Sequence, residues 1–133
     1  MNKSIEVLAK TIYGEARGEL SKYGMNSLIA IGNVVINRCK KSGKTVEGEC
    51  MKPRQFSCWN KNDPNYNIIQ NIDVGDKIYK ICLDIADKII NGTQADVTNG
   101  ADHYYSKTIN SPYWAKGKKK ILEIGNHVYY KLL

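Results

Sequence analysis

A short acidic motif near the amino terminus holds the residues whose types and spacing are best suited to chemistry. Its two carboxylates, Glu15 and Glu19, lie four residues apart. If a helix continues through them, they share one face with Cβ atoms about 5–6 Å apart. Glu15 follows Ile12 by three residues, at the edge of an apolar stripe, so it is expected to be partly buried. Partial burial suits a carboxyl group that donates a proton, as a glycosidase requires for its leaving oxygen. Gly14 and Gly18 flank Glu15, and their missing side chains let a bulky substrate approach the backbone.

The same residues also permit other interpretations, which spacing alone leaves open. Both glutamates could be solvated charges at a helix end, with Arg17 paired to one of them. Glu15, His103 and His127 could be metal ligands, although no H-x-x-x-H spacing supports this. A Cys–His nucleophile is formally available, but histidines in aromatic strands are more often structural. No cofactor is therefore expected.

Three amphipathic segments must position this motif, because in each the apolar residues recur with the helical period. Ser4 and Asp76 are the expected N-caps of the first and third, and Gly43 and Gly92 end the second and third. The first helix is expected to run out within 14–19, where two glycines weaken it. The predicted helices span 4–17, 26–41 and 76–91.

Two aromatic and β-branched segments near the carboxyl terminus, 102–106 and 126–130, predict strands that can pair. A basic loop, 116–120, lies between them. The stretch 43–75 has no clear period, so it is expected to be irregular, or to contain short elements, with Phe56 filling the core.

Four cysteines occur without any C-x-x-C pair, so a zinc knuckle is not expected. Cys82 falls on the apolar stripe of the third helix and is expected in the core. If disulfides form, Cys39–Cys50 or Cys50–Cys58 are the favoured pairs, but a chain of 133 residues does not need them.

The net charge of +7 indicates an acidic partner but does not separate nucleic acid, membrane and anionic wall polymer. Arg contributes only 3 of the 20 basic residues, which argues against nucleic acid, because base readout favours Arg. No apolar run approaches the roughly 20 residues of a membrane-spanning helix, so no membrane insertion is expected. No signal-peptide core is visible either, so the chain is expected to be made in the cytosol or to be a mature or excised domain.

The residues Thr11 to Glu19 resemble the opening motif of the spore-cortex-lytic cell-wall hydrolases of the SleB/CwlJ type. Further matches to that family follow in the same order along nearly the whole chain. Each is weak alone, but six or more in the right order are specific. They are Gly24-Met25, residues 31–38, Gln55-Phe56-Ser57, residues 98–105, Trp114-Ala115 and residues 124–130.

The resemblance implies a lysozyme-like α+β fold, mainly helical with a small antiparallel β element, and one catalytic domain over 1–133. It also implies cleavage of the MurNAc–GlcNAc β-1,4 bond of peptidoglycan by a lytic transglycosylase. Glu15 matches the catalytic position of the family, as the sole general acid/base. The rivals are a hydrolytic muramidase of the lysozyme type and a non-catalytic wall-binding module.

Further residues of the matching motifs are expected to bind N-acetyl sugars through hydrogen bonds and ring faces. Glu19 could instead be the acid itself, or hold Arg17 or the following loop, and Asn126 and His127 could brace the site wall. The expected binding residues are Glu19, Gln55, Ser57, Tyr104, Tyr105 and Trp114. The implied partner is the glycan strand of the bacterial wall, met by a monomer. The setting is that of a phage endolysin released through holins, or of a domain from a secreted or spore protein.

Overall fold

The computed structural model describes residues 2–53 and 55–133. Within them, six α-helices come first and a three-stranded antiparallel sheet comes last. The expected class, mainly helical α+β with a small antiparallel sheet, is confirmed. The elements are α1 (Lys3–Ala16), α2 (Leu20–Tyr23), α3 (Asn26–Ser42), α4 (Val46–Cys50), α5 (Pro64–Asn71), α6 (Lys77–Ile90), β1 (His103–Ser106), β2 (Leu122–Ile124) and β3 (His127–Tyr130).

The first helix begins one residue earlier than the sequence pattern indicates. The expected cap, Ser4, is wrong, because the side-chain oxygen of Asn2 accepts hydrogen bonds from the amides of Ser4 and Ile5, at 2.8 and 3.4 Å. α1 then ends at Ala16 and passes into a 3₁₀ turn, Arg17–Glu19, inside the interval predicted for its end. The acidic motif therefore lies across a change of helix type.

Both other long helices have the predicted ends. α3 stops at Gly43, whose φ of 73° is left-handed and whose amide bonds to the carbonyl of Cys39. The side chain of Asp76 accepts a hydrogen bond from the Tyr79 amide, at 3.0 Å, and so caps α6. Gly92, with a φ of 84°, follows that helix.

The main core lies where α1 packs against α3 and α6. Phe56 and Cys82 are fully buried in it, as expected from the sequence. All four cysteines are free thiols, so neither disulfide considered above is formed. Burying each large apolar side chain contributes roughly 1.5–3 kcal/mol. The packing of α1, α3 and α6 is therefore the main source of stability. The largest buried side chains of this core include Leu8, Ile12, Leu28, Ile31, Val34 and Ile85.

The irregular stretch 43–75 contains short elements that are too brief to show a period. α4 is capped by Thr45, whose hydroxyl accepts from the Gly48 amide at 3.0 Å. Asp63 caps α5, and the proline that follows it occupies the first turn. Between these helices, Ser57–Trp59 forms a 3₁₀ turn.

The two predicted strands pair antiparallel as β1 and β3, with Tyr104 opposite Tyr129 and Tyr105 opposite Val128. β2, which the pattern did not indicate, pairs with the other edge of β3. Because side chains alternate along a strand, the sheet has two different faces. One packs on the helices through Tyr104 and Tyr129. The other carries Tyr105, Val128 and Tyr130 in a small cluster of their own.

No helix among the described residues is both long and apolar enough to cross a membrane.

Candidate active site

An open groove of about 550 Å³ lies at the end of α1, where it meets the Ser57–Trp59 turn and the sheet. Its lining is polar and includes two carboxylates, two serine hydroxyls and two asparagine amides. Such a surface suits a hydrophilic chain molecule better than an apolar ligand. The lining residues are Gly14, Glu15, Ala16, Gly18, Glu19, Ser57, Asn65, Ser106, Thr108, Asn126 and His127.

Glu15 is half-buried in the last turn of α1, and each of its carboxylate oxygens is held by a different part of the chain. Oε1 accepts a hydrogen bond from the Tyr104 hydroxyl at 2.8 Å. Oε2 accepts one from the backbone amide of Cys58 at 3.2 Å. A carboxylate oxygen can accept two hydrogen bonds, so each still has capacity for a group in the groove. The two donors therefore fix the carboxylate and leave part of its hydrogen-bonding capacity free.

The surroundings of Tyr104 fix its ring and keep its hydroxyl group protonated, so that it can donate a hydrogen bond. Its ring lies against Phe56 and Tyr129, with centroid distances of 6.2 and 5.7 Å. The His127 ring lies nearly perpendicular to it, with the two centroids 4.9 Å apart. Burial, and then the neighbouring Glu15 carboxylate, raise the pKa of Tyr104 well above its usual value. The phenol therefore keeps its proton and continues to donate to Glu15 across the working pH range.

Glu19 has a different environment, although it lies only four residues further on. Its carboxylate is buried, with 7% of the residue exposed. Oε1 accepts a hydrogen bond from the backbone amide of Asn126 at 2.8 Å. Oε2 lies 3.0 Å from Nδ1 of His127, a close contact whose angles fall short of a good hydrogen bond. Glu19 thus braces the turn between β2 and β3.

These contacts contradict the interpretation of the two glutamates as solvated charges paired with Arg17. Glu19 is buried, and the Arg17 guanidinium donates instead to the carbonyl of Tyr13 at 3.3 Å. It also lies over the Tyr13 ring, 5.0 Å from its centroid. The alternative that Glu19 holds Arg17 is therefore wrong, because it holds a turn of the sheet instead.

The turn that Glu19 braces requires a glycine. Gly125 has a φ of 58°, which favours glycine over other residues. A Cβ atom there would lie 2.2 Å from Oε1 of Glu19, well inside contact distance. The close approach of the Gly125 backbone to Glu19 is what brings the Asn126 amide within hydrogen-bonding range.

The two glycines of the motif have unequal roles. A Cβ at Gly14 would lie 2.6 Å from Cβ and 2.8 Å from Sγ of Cys58, so this glycine makes room for the protein itself. Gly14 lines the groove, but the space left by its missing side chain is filled by Cys58 rather than open to a substrate. A Cβ at Gly18 would meet no atom of the described residues within 4 Å, and Gly18 borders the groove.

We expect Gly14→Ala to lower the free energy of unfolding by about 1–3 kcal/mol, because the added methyl overpacks the contact with Cys58. It also displaces the Cys58 amide that holds Glu15, so cleavage should fall with it. Chemical denaturation measures the stability. Gly18→Ala is the matched control, expected within about 0.5 kcal/mol of wild type. Equal stability of the two variants would contradict this account of Gly14.

The structure brings only some of the predicted binding residues to Glu15. Ser57 and Glu19 line the groove. Tyr104 does not line it, but its hydroxyl donates to the Glu15 carboxylate. Gln55 instead borders a separate cavity, where its side-chain oxygen accepts from Arg38 Nη1 at 2.7 Å.

Tyr105 and Trp114 lie on the other face of the sheet from Tyr104. Their rings are 6.0 Å apart at the centroids, and both pack on Tyr130. The alternation of a strand requires one of Tyr104 and Tyr105 to point inward, and that residue is Tyr104. Neither Tyr105 nor Trp114 borders the groove.

Several groove residues were not expected from the sequence. Ser106 follows Tyr104 by two positions on β1, so the period of a strand could have placed it on the same face. Asn65 and Thr108 reach the groove because of the path that α5 and the chain after β1 take through the fold. No local sequence pattern indicates that path.

The metal and cysteine alternatives have no support in the described residues. No group of three His, Cys, Asp or Glu side chains there could hold a metal ion. His103 Nδ1 lies 2.8 Å from Asp102, and His127 lies against Glu19, so the two histidines have separate partners. Burial raises the pKa of all four thiols, to about 11 for Cys39, which disfavours the thiolate a nucleophile requires.

A family model described as Cell Wall Hydrolase matches residues 23–130. The chain belongs to this family, and the resemblance to the SleB/CwlJ type is confirmed. The matched range begins after Glu15 and Glu19.

Curated relatives are spore cortex-lytic enzymes. The protein from Oceanobacillus iheyensis is 28% identical over 135 residues, covering 96% of this chain and 41% of its own. The protein from Bacillus cereus is 28% identical over 129 residues, covering 96% of this chain and 44% of its own. The chain therefore spans less than half the length of these relatives.

Two solved structures have the same fold. The catalytic domain of the SleB protein from Bacillus cereus aligns with a TM-score of 0.70 and 25% identity, over 96% of this chain and 89% of that one. The catalytic domain of the germination-specific lytic transglycosylase SleB from Bacillus anthracis gives a TM-score of 0.73 and 25% identity, over 98% and 96%. The expected lysozyme-like fold class is confirmed.

Proposed function

We propose that this chain degrades peptidoglycan by cleaving the MurNAc–GlcNAc β-1,4 bond, as a lytic transglycosylase with Glu15 as its sole general acid/base. Membership of the cell wall hydrolase family and the names of its relatives support the substrate. One observation supports the residue. Of the two carboxylates that line the groove in the described part of the chain, Glu19 is buried and contacts His127 and the backbone amide of Asn126. Glu15 is only half-buried, so the oxygen lone pairs that its two hydrogen bonds leave free are open to a sugar in the groove.

The reaction needs one carboxyl group used twice. Protonated Glu15 gives its proton to the glycosidic oxygen as the bond from that oxygen to the anomeric carbon breaks. The 6-hydroxyl oxygen of the same MurNAc then bonds to the anomeric carbon, and its proton passes to the Glu15 carboxylate. The products are a free 4-hydroxyl and a 1,6-anhydro end, and the enzyme returns to its starting state.

Tyr104 and Cys58 position the reacting group in this scheme. Their two hydrogen bonds keep the carboxylate plane fixed while its charge changes, which is the preorganisation that acid/base catalysis requires. The polar groove wall offers hydroxyls and amides, including Ser57 and Asn65, to the N-acetyl sugars.

The rival within the same class is a hydrolytic muramidase, in which water replaces the 6-hydroxyl. Product masses separate the two. Purified peptidoglycan digested with the chain should release anhydro-ended muropeptides, with the mass of the uncut units. Reducing ends, each heavier by one water, would support the muramidase, and no released fragments together with tight sedimentation on insoluble walls would support a wall-binding module.

Residues 1–133 act in this proposal as one catalytic domain, working as a monomer on the glycan strands of the wall. Neither nucleic acid nor membrane insertion has a part in it. The positive net charge favours the anionic wall. Delivery through holins, as a phage endolysin, and export as part of a secreted or spore protein are both compatible with this activity.

A further inference from the structure

Among the described residues, a second cavity of about 570 Å³ shares no lining residue with the groove. Four cationic side chains of that part of the chain border it, against one acidic side chain. That carboxylate, Glu49, is buried and accepts a hydrogen bond from the Ser42 hydroxyl at 2.7 Å. The surplus of positive charge suits the cavity to an anionic ligand. The cations are Arg38, Lys41, Lys44 and Lys52.

Arg38 is the fixed part of this cavity. It is only 9% exposed, and its Nε donates to the Asp102 carbonyl at 2.6 Å. Nη1 donates to the side-chain oxygen of Gln55 at 2.7 Å, and the guanidinium lies 5.2 Å from the centre of the Phe56 ring. These three contacts orient a planar cation beforehand, at no cost when a ligand arrives. A guanidinium held in this way matches a carboxylate better than a freely rotating lysine does.

The three lysines supply mobile charge around Arg38. All three are exposed, and within residues 2–53 and 55–133 no Asp or Glu side chain forms an ion pair with any of them. Lys41 donates to a main-chain oxygen of Leu133, whereas Lys44 and Lys52 have no acidic partner among these residues and are available to a ligand.

The cavity and the groove border the same short segment. Gln55 lines the cavity and Ser57 lines the groove, and two residues of chain span at most about 7 Å. Between the two sites, Phe56 contacts the Arg38 guanidinium and the Tyr104 ring, and Tyr104 binds Glu15. A branch from a polymer lying in the groove therefore needs to cross only this segment to reach the cavity.

We propose that the cavity binds a free carboxylate of the peptide stems attached to the glycan strand that lies in the groove. The identity of the polymer rests on the function proposed above. The site distinguishes a glycan with peptide stems from a bare one, and so sets the preference of the enzyme among wall materials.

The test compares Lys44→Ala/Lys52→Ala with wild type on intact peptidoglycan and on the same material stripped of its stems by an amidase. On intact material the variant should lose about tenfold in kcat/KM, the effect of two partly screened charge contacts. On stripped glycan the difference from wild type should vanish. The matched control, Lys118→Ala/Lys119→Ala, removes the same charge from exposed lysines that border neither site, and should follow wild type on both.

Two further experiments identify the bound anion and test the site without relying on cleavage. The first uses peptidoglycan from which acid has removed the phosphodiester polymers, the other source of anions in the wall. If the kcat/KM defect of the variant disappears on this material and persists on glycan without stems, the proposal is overturned. Titration of the isotope-labelled chain with free stem tetrapeptide, followed by NMR, needs no catalysis. Shifts of the Arg38 Nε–H and Gln55 amide signals are expected. Their absence at millimolar peptide overturns the site, whereas shifts without cleavage of any glycan would show that only the proposed function fails.

Discussion

Replacing Glu15 with Gln is expected to lower the rate of glycan cleavage by about 10²–10⁴-fold, the usual contribution of a general acid/base. The amide has no proton to give at the pH where the carboxyl group works. The fold should survive the change. The glutamine oxygen can accept from the Cys58 amide, and its NH₂ group can donate to the Tyr104 hydroxyl, which accepts as well as donates.

Release of soluble muropeptides from purified walls measures the rate, and thermal unfolding measures the fold. Glu6→Gln is the matched control, because it makes the same chemical change on the same helix at a surface pair with Lys10. That pair is worth about 0.3–0.5 kcal/mol, and the control should keep wild-type cleavage. If Glu15→Gln cuts glycan at a rate close to that of Glu6→Gln, Glu15 is not the acid.

The long elements could be predicted because their signals are local. α3 and α6 show the helical period over several turns, and Gly43 and Asp76 mark their ends with side chains or conformations that few residues provide. α4 and β2 could not be predicted, because five and three residues are too few to show any period. Their stability comes from the core they pack on, which a local pattern does not contain.

The candidate site was predictable only in part, for the same physical reason. Glu15 was found because its motif is contiguous, and Ser57 because it belongs to one of the matched motifs. The separate roles of the two glutamates depend on contacts across the chain. Glu19 meets an amide 107 residues away, and Glu15 meets a hydroxyl 89 residues away. Tyr105 and Trp114 were expected beside the glycan, yet the twofold alternation of β1 places Tyr105 with Trp114 on the opposite face.

Those distant contacts give the site its architecture. α1 supplies the carboxylate, the turn after Phe56 supplies an amide donor, and β1 supplies a hydroxyl donor. Glu19 ties the start of β3 to the same helix end, so the groove wall and the proposed acid, Glu15, are anchored to one another. A glycosidase needs this, because an acid displaced from the glycosidic oxygen by even 1 Å loses much of its effect.

Glu19→Ala is therefore expected to act on stability, lowering the free energy of unfolding by about 1–3 kcal/mol. The change removes the acceptor of the Asn126 backbone amide, and an unsatisfied buried donor costs about that much. Since a domain is stable by only about 5–15 kcal/mol, this is a large fraction. Urea denaturation followed by circular dichroism measures it.

Glu19→Gln separates bracing from catalysis. It keeps an oxygen that accepts from the backbone amide of Asn126, and its new NH₂ group can donate to His127 Nδ1 in the tautomer that carries no proton there. We expect it to fold and to cut glycan within about tenfold of wild type, since a general acid would cost far more. A Glu19→Gln enzyme that folds normally but cleaves no glycan, beside a Glu15→Gln enzyme that still does, would exchange the two roles. The same chemical substitution made four residues apart thus decides which glutamate carries the proton, because only a reacting carboxyl group needs its charge to change.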